Sequence, residues 1–550
     1  MSTTTPTSES APVAHLDDLA EGSMKLIRAD GHRVCLVRTS SGVHAIDNAC
    51  PHEGYGLTQG SLDGELLTCQ WHNWKFRVSD GECVQGEEAV PVHDVDIDET
   101  GAVRVTINRP DPVTLIPKLM DSLRRGIERN YIGQVSRDVV RLLQAGADPA
   151  ELVLQAVAHG APRAEDGWGH SIASATDCLA MVELYDGDER ALPIVQAIAG
   201  IAEVERFRPP NEPPPPADPS EADLETFRAA VDREDLARAQ ALLRAAIARG
   251  DGPAQLVPWF SALVADHHLS YGHGAIYGQK AFELLDGIGW EHADLVLTNL
   301  VPTIVYGTRE DTLPYMRPFM KALGALDLDE LAAVAVEPDW DGAEALVDVM
   351  LAGDRTAPVA AVEAALRAGA GVDRVLDCAV VAVSIRMLRY DISGERVFDD
   401  DFGWLDITHG LTYAHAARWH HARSVQAGTG TTADLLRLVM FTVFQAHWTG
   451  RHEWHTSVGV VEQPGPLDPD LAVAGELLQR ESLLDGTSAF IVAAHAVKTS
   501  RAASREALRI GSSLPLDATL RFMRAPKLER FVAATVARSI DFLNGRIQRD

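Results

Sequence analysis

Cysteine is scarce in this chain, with six residues in 550. That is too few for a disulfide scaffold. Basic charge is scarce as well: 49 Lys+Arg against 79 Asp+Glu leave a formal charge of -30. Such a surface repels phosphate backbones and anionic membranes, so nucleic acid is not an expected partner. No window of about 18 uncharged apolar residues occurs, and no membrane span is expected. The opening MSTTTPTSESAPVAHLDD lacks a basic start followed by an apolar run, so an export signal is not expected and a cytoplasmic location follows by default. There is no G-x-G-x-x-G after a strand, no phosphate loop and no G-x-S-x-G elbow, which argues against a bound dinucleotide and against serine hydrolase chemistry. What remains is 46% hydrophobic and 23% charged, enough for two to four globular domains.

The first hundred residues have a texture of their own. Between Val13 and Pro110, alternating runs such as Lys25-Leu-Ile-Arg28, Val34-Cys-Leu-Val-Arg38 and Val103-Arg-Val-Thr-Ile107 are cut by turn pairs. These pairs stand at Asp30-Gly31, Ser41-Gly42, Asp63-Gly64, Asp80-Gly81 and Thr100-Gly101. The pattern is that of short strands joined by tight hairpins. A small all-β domain is expected over 13–110, after a disordered tail at 1–12.

Inside this stretch lies Cys50-Pro-His52, then sixteen residues, then Cys69-Gln-Trp-His72. A gap of one or two residues lets two side chains of one loop converge on a metal, and by residue type alone the set also suits a tetrahedral structural zinc. Order and flanks favour another chemistry. Cys precedes His in both pairs, and Cys50-Pro-His-Glu-Gly54 and Cys69-Gln-Trp-His-Asn-Trp-Lys-Phe76 resemble the two cluster loops of the Rieske family, C-x-H and C-x2-H about sixteen residues apart. The resemblance implies a 2Fe-2S cluster in which Cys50 and Cys69 bind one iron and His52 and His72 the other, in a module that moves single electrons. Gln70 and Asn73 depart from the Pro and Gly common in that pattern, and neither is a ligand position.

High-potential members of that family tie the loops together with an extra cysteine in each; Tyr55 and Trp71 occupy those places here. The module is thus similar to soluble Rieske ferredoxins and to the Rieske domains of ring-hydroxylating oxygenases. That similarity implies a potential toward the lower end of the Rieske range and an exposed histidine tip. It also implies a flavin-dependent reductase or other electron donor as partner, and an oxygen-activating centre as destination. Trp71, Trp74 and Phe76 either line the tip or pack beneath the cluster, and packing is the expectation. Cys35, Cys83, Cys178 and Cys378 are expected as small buried apolar residues.

After Pro110 the pattern turns helical and stays so to the end, as in Ser136-Arg-Asp-Val-Val-Arg-Leu-Leu-Gln144 and Leu236-Ala-Arg-Ala-Gln-Ala-Leu-Leu-Arg244. A Pro-rich loop at 205–222 interrupts it and is expected to be extended and exposed. An internal repeat straddles that loop: His267-His-Leu-Ser-Tyr-Gly-His273-Gly-Ala275 matches His409-Gly-Leu-Thr-Tyr-Ala-His415-Ala-Ala417. Fainter copies stand at Gly169-His170 and Ala494-His495. Helix entries recur at Gly146-Ala-Asp-Pro149, at Gly250-Asp-Gly-Pro253 and, weakly, at Gly369-Ala-Gly371. Residues 111–550 are expected to form an all-α domain of repeated helical hairpins.

Most of the twenty histidines lie there, and inward-facing imidazoles from several helices are how bundles build iron and haem sites. Candidates for a second metal site are His267, His273, His409 and His415, holding iron or another metal. Candidates for catalysis are His273, His415, Tyr271 and Tyr413. Residues six apart on a straight helix differ by roughly 240°, so His267 and His273 share a face only if the helix breaks between them. His273 with Tyr277, and His409 with Tyr413, do share faces, and buried His–Tyr pairs would serve as packing devices without any metal. A further group is His447, His452 and His455, while Asp399-Asp-Asp401 reads as a solvated loop. Asp406-Ile-Thr-His409 followed by His415 resembles the D-x2-H-x4-5-H iron motif of Rieske oxygenase catalytic domains. Those domains rest on a large antiparallel sheet, so none is expected in a helical region. The helical region resembles questin-oxidase-like all-α oxidases in its His- and Tyr-rich helices, which implies oxidase chemistry without carrying over any residue.

The expected protein is a multidomain oxidoreductase that passes single electrons from a 2Fe-2S cluster to a fused helical oxidase or monooxygenase-like domain acting on a small molecule. Two other functions fit the same residues: an electron carrier whose helical region is a docking platform without catalysis, and a redox sensor.

Overall fold

The computed structural model describes residues 11–108, 111–204, 208–352, 356–396, 403–448, 465, 467–487, 489–527 and 532–546. The chain divides into two compact units, one of residues 1–126 with 131–147 and one of residues 127–130 with 148–550. Among the described residues, no helix is long and apolar enough to cross a membrane.

Two antiparallel sheets make up most of the first unit. The larger has the order β1-β10-β9-β4-β3-β2, from β1 (Ala14–His15), β2 (Met24–Ala29), β3 (His32–Thr39), β4 (Gly42–Asp47), β9 (Val92–Ile97) and β10 (Ala102–Thr106). The smaller is a meander of β5 (Ser61–Asp63), β6 (Leu66–Thr68), β7 (Lys75–Arg77) and β8 (Cys83–Gln85). Each of the five turn pairs named above closes a hairpin. At the first, Asp30 and Gly31 take φ of 45° and 80°, the left-handed pair that a two-residue turn needs to match strand twist.

Strand β3 is buried on both faces, and this creates two cores. Val34 and Leu36 pack with Leu19, Ile27, Ala45, Val103 and Val105. Cys35 and Val37, pointing the other way, pack with Ile46, Leu57, Leu67, Phe76 and Val78. Cys50 and Cys69 belong to this second core. Helices α1 (Pro112–Glu128) and α2 (Ile132–Gln144) follow the sheets, and α2 lies wholly within the first unit.

The second unit is helical among its described residues, apart from one isolated β-bridge between Leu269 and Arg309. Pro149 opens a helix whose Asp148 carboxylate accepts the Ala150 N–H, and Pro253 opens another after Gly252. The Pro-rich segment, described from Arg208 onward, is strapped down. Asn211 N–H donates to the Pro162 carbonyl, Ala217 N–H to the Ala241 carbonyl, and the Arg244 guanidinium donates to the carbonyls of Pro213 and Pro214.

Four helices, His170–Met181, His273–Ile288, Trp404–Gln426 and Phe490–Ile510, pack in a cycle. The first touches the second, the second the third, the third the fourth and the fourth the first. The two repeat copies differ in backbone. In the first, the chain leaves its helix at Asp266, passes through Ser270, Tyr271 and Gly272 with φ of 46°, 59° and 91°, and starts a new helix at His273. In the second, the same stretch is one unbroken helix. Gly272 is required at the break, because a Cβ there would stand 2.2 Å from Cδ2 of Tyr413, besides facing a positive φ.

Candidate functional site

The first ligand pair stands on the loop between β4 and β5, the second on the loop between β6 and β7. The two loops repeat one hydrogen-bond pattern. Cys50 N–H donates to the Tyr55 carbonyl and Gly54 N–H to the Cys50 carbonyl; Cys69 N–H donates to the Trp74 carbonyl and Asn73 N–H to the Cys69 carbonyl. The fifth residue of each loop is left-handed, Gly54 at φ 78° and Asn73 at φ 59°. Asn73 therefore fills a glycine-like position, which Asn tolerates better than most residues.

The cysteines sit at the floor and the histidines at the rim. Cys50 and Cys69 are both 2% exposed and are free thiols. Burial, and the neighbouring Cys69, push the Cys50 thiol up to about 12. A buried thiol this hard to ionise gains most from a metal that takes its proton. His52 and His72 meet through their Nδ1 atoms at 2.8 Å, with His72 exposed and His52 half-buried. Two sulfurs beneath and two ring nitrogens above form a donor set that fits a 2Fe-2S cluster.

The three loop aromatics divide their roles. Phe76 is fully buried in the core, Trp74 stacks on His52 at 4.9 Å, and Trp71 is 57% exposed. Trp71 stacks on Tyr55 at 4.2 Å, so the two positions that hold the tying cysteines in the resembling high-potential proteins are joined here by aromatic contact. Cys35, Cys178 and Cys378 are buried, and Cys83 is only partly so. Sequence reasoning missed a further neighbour. From α2, the Arg137 guanidinium donates to the His52 carbonyl at 2.7 Å, and the Tyr131 hydroxyl lies 3.4 Å from the same oxygen.

In the helical unit the fold assembles a different histidine set from the expected one. His170, His273, His409 and His495 converge, one from each of the four cycling helices. His409 Nε2 lies 2.8 Å from His273 Nε2 and 3.4 Å from His495 Nε2. The His170 ring is centred 4.9 Å from that of His273 and 4.5 Å from that of His495. His170 and His273 each open their helix, whereas His409 and His495 are each the sixth residue of theirs. His267 and His415 lie outside this set. His267 pairs with Asp311 at 2.9 Å, and His415 is buried against Glu506 at 2.7 Å. The break before His273 explains the difference: it re-aims that residue, while His415 stays six positions beyond His409 on a continuous helix and points away.

Two rings of this set direct a proton outward. His409 Nδ1 bonds the Leu405 carbonyl at 2.6 Å, and His495 Nδ1 bonds the Ile491 carbonyl at 2.7 Å. With Nδ1 protonated, the Nε2 atoms of His409 and His495 each present a lone pair, and the His409 Nε2 faces those of both His273 and His495. Burial keeps the rings neutral, with His409 held down to about 3 and His170, His273 and His495 well below their ordinary value. Outward N–H donation to a carbonyl with a free inner nitrogen is the arrangement of metal-ligating histidine. Two lone pairs at 3.4 Å repel unless a cation or proton lies between them.

The surroundings are partly new. Tyr277 hydroxyl and Lys498 Nζ reach His170 Nδ1 at 2.7 and 3.0 Å, and Tyr277 stacks on His273 at 4.9 Å. Burial brings Lys498 down to about 7. It stands three residues after His495 on the same helix, a spacing that the sequence displays. Tyr271 is 48% exposed with its ring 6.0 Å from that of His409, at the edge where His170 and His273 are themselves partly open. Tyr413 faces away, 5.5 Å from His268, and its buried hydroxyl has no hydrogen-bond partner among the described residues.

Asp406 caps its own helix by accepting the Gly403 N–H at 2.8 Å, so the resemblance to a carboxylate-bearing iron motif fails for lack of an inward carboxylate. His447 lies 3.3 Å from the Met350 carbonyl; His452, His455 and Asp399-Asp-Asp401 fall outside the described residues. A cleft of about 710 Å³ opens further along the His495 helix, lined by Glu283, Arg501 and Arg505.

The Rieske [2Fe-2S] domain family matches residues 9–104. The chain is 38% identical over 76 residues to the ferredoxin component of the alkene monooxygenase system of Xanthobacter autotrophicus, a match spanning 14% of this chain and 62% of that protein. It is 30% identical over 71 residues to the ferredoxin component of the naphthalene 1,2-dioxygenase/salicylate 5-hydroxylase systems of Ralstonia sp, spanning 13% and 68%. It is 36% identical over 75 residues to cholesterol 7-desaturase of Hemicentrotus pulcherrimus, of which only 16% is covered. Among solved structures, the ferredoxin of carbazole 1,9a-dioxygenase from Nocardioides aromaticivorans IC177 is similar at 30% identity and a TM-score of 0.18, covering 18% of this chain and 100% of that one.

Proposed function

Since this chain belongs through its N-terminal domain to the Rieske [2Fe-2S] family, we propose that it is an oxidoreductase. In this reading its Rieske module takes single electrons from a flavin-dependent reductase for use at a metal held by His170, His273, His409 and His495. The cluster would supply one-electron storage, and the histidine-held metal would supply Lewis-acid and oxygen chemistry on a small-molecule substrate. Carriage on one chain removes a bimolecular step between the two centres.

The observation that carries this reading is the meeting of the His273 and His495 Nε2 atoms at that of His409, with the Nδ1 protons of His409 and His495 committed to backbone acceptors. The remaining roles follow from contacts. Leu405 and Ile491 carbonyls fix two ring orientations. Tyr277 and Lys498 hold His170, and a lysine near 7 can keep or release a proton at Nζ beside that ring. Tyr271 stands at the open edge, where a substrate would arrive. The ferredoxin components among the relatives serve oxygenase systems, which is consistent with an oxygen-using partner site.

The test is metal analysis of the purified holoprotein alongside its Rieske spectrum. The expected result is the two irons of the cluster plus a further stoichiometric metal, lost in His409→Ala with the spectrum unchanged. Two irons and no other metal in the wild-type chain would overturn the helical site and leave an electron carrier with a helical docking platform.

A further inference from the structure

Helix α2 lies beyond the residues that the family matches, and its contacts fall on one of the four ligand residues. Arg137 donates to the backbone carbonyl of His52 at 2.7 Å. The Tyr131 hydroxyl stands 3.4 Å from that oxygen, with its ring 6.0 Å from the His52 ring. Glu88 anchors the arrangement from the β8–β9 connection, paired with Arg137 at 3.5 Å and in closer contact with Arg141. The Arg137 and Glu88 side chains are 24% and 12% exposed, so neither charge is fully screened by water.

Other charges face the same ligands. Glu53 lies 4.0 Å from His72, and Glu87 acts on His52. Against these carboxylates, Arg137 places a cation in contact with a ligand residue. Reduction adds one negative charge to the cluster region, and hydrogen bonds and net charge nearby are what set the potential of such a centre. A fixed guanidinium favours the reduced state, while a fixed carboxylate favours the oxidised one.

We propose that α2 is a working part of the electron-transfer module, in which Arg137 is a positioning residue that raises the cluster's reduction potential through the His52 carbonyl and Glu88 offsets it. This rests on the Rieske cluster alone and holds whether or not the helical unit takes a metal.

The experiment is a redox titration of the full-length holoprotein followed by the paramagnetic resonance of the reduced cluster. Arg137→Gln is expected to shift the potential negative by an amount equal to a three- to tenfold change in the oxidised-to-reduced ratio, tenfold being about 59 mV for one electron. Arg137→Lys should recover most of the shift, and Glu88→Gln should move it the opposite way. A loaded Arg137→Gln protein with the wild-type potential overturns the proposal. So does a shift of the same sign in both neutralising variants, which would mark mere loosening of the loop. If Arg137→Gln does not load a cluster, the sign at Glu88→Gln decides.

Discussion

Cys50, His52, Cys69 and His72 occupy two loops of one small β module, each loop closed by its own backbone hydrogen bonds. The four converging imidazoles of the helical unit come from four separate helices, and no two of them lie within eighty residues of each other in the chain. A loop can preset a ligand pair through local geometry alone. A site drawn from distant helices exists only once those helices have packed. The first centre therefore depends on turn chemistry and a few core contacts, and the second on the packing of an entire unit.

The sharpest way to break this contrast is at the ligands. Cys50→Ser or Cys69→Ser should abolish the Rieske spectrum completely while leaving the metal content of the helical unit unchanged; loss of both together would mean that the centres are not independent. In the other direction, His409→Ala should empty the proposed helical metal site, whereas His267→Ala, which removes a pairing with Asp311, should leave the metal content unchanged. Retention of metal in the first variant, measured by elemental analysis, would dissolve the four-histidine set.

Acid and base should pull the two units in opposite directions. Desolvation pushes Asp138 on α2 up to about 6, from 3.8. Its folded value is raised, so the folded state binds more protons between these limits and stability falls as pH rises through about 6. Asp138→Asn should then gain about 3 kcal/mol for the first unit at pH 7. Burial holds His409 at about 3, from 6.5, so the unfolded state binds more protons and stability falls as pH drops below 6.5. In the metal-free protein, His409 alone should cost the helical unit about 2 kcal/mol at pH 5. Denaturant melts of each unit at pH 5 and 7 check both signs.

The smallest effect expected is at Asn73, whose φ of 59° strains any residue with a Cβ. Asn73→Ala should lower the stability of the cluster unit by roughly 1 kcal/mol, while Asn73→Gly should be neutral or slightly stabilising. Equal melting temperatures for the alanine and glycine variants would show that the loop does not depend on this left-handed position.

Much of the β module was legible residue by residue. Period-two alternation and five turn pairs laid out its hairpins, and the paired Cys and His spacing marked the cluster loops, because these signals act between residues close in the chain. The Tyr55–Trp71 stack and the Arg137 contact were not legible, since each joins residues brought together by folding. In the helical unit the repeat pointed to histidine-bearing segments but misaligned two of them. It equated His273 with His415, yet the break at Ser270–Gly272 exists in one copy only. That break is tied to close packing of Gly272 against Tyr413, a contact between the copies that neither copy displays in its own sequence.

By itself the sequence determined the strands, the helices, the cluster loops and the pool of histidines, all of which follow from residue type and short-range spacing. The tertiary structure alone decided which histidines meet, which of their nitrogens face inward, and which charges stand beside the cluster. Those outcomes depend on where helices start and how they cross, and that is set by packing among residues far apart in the chain.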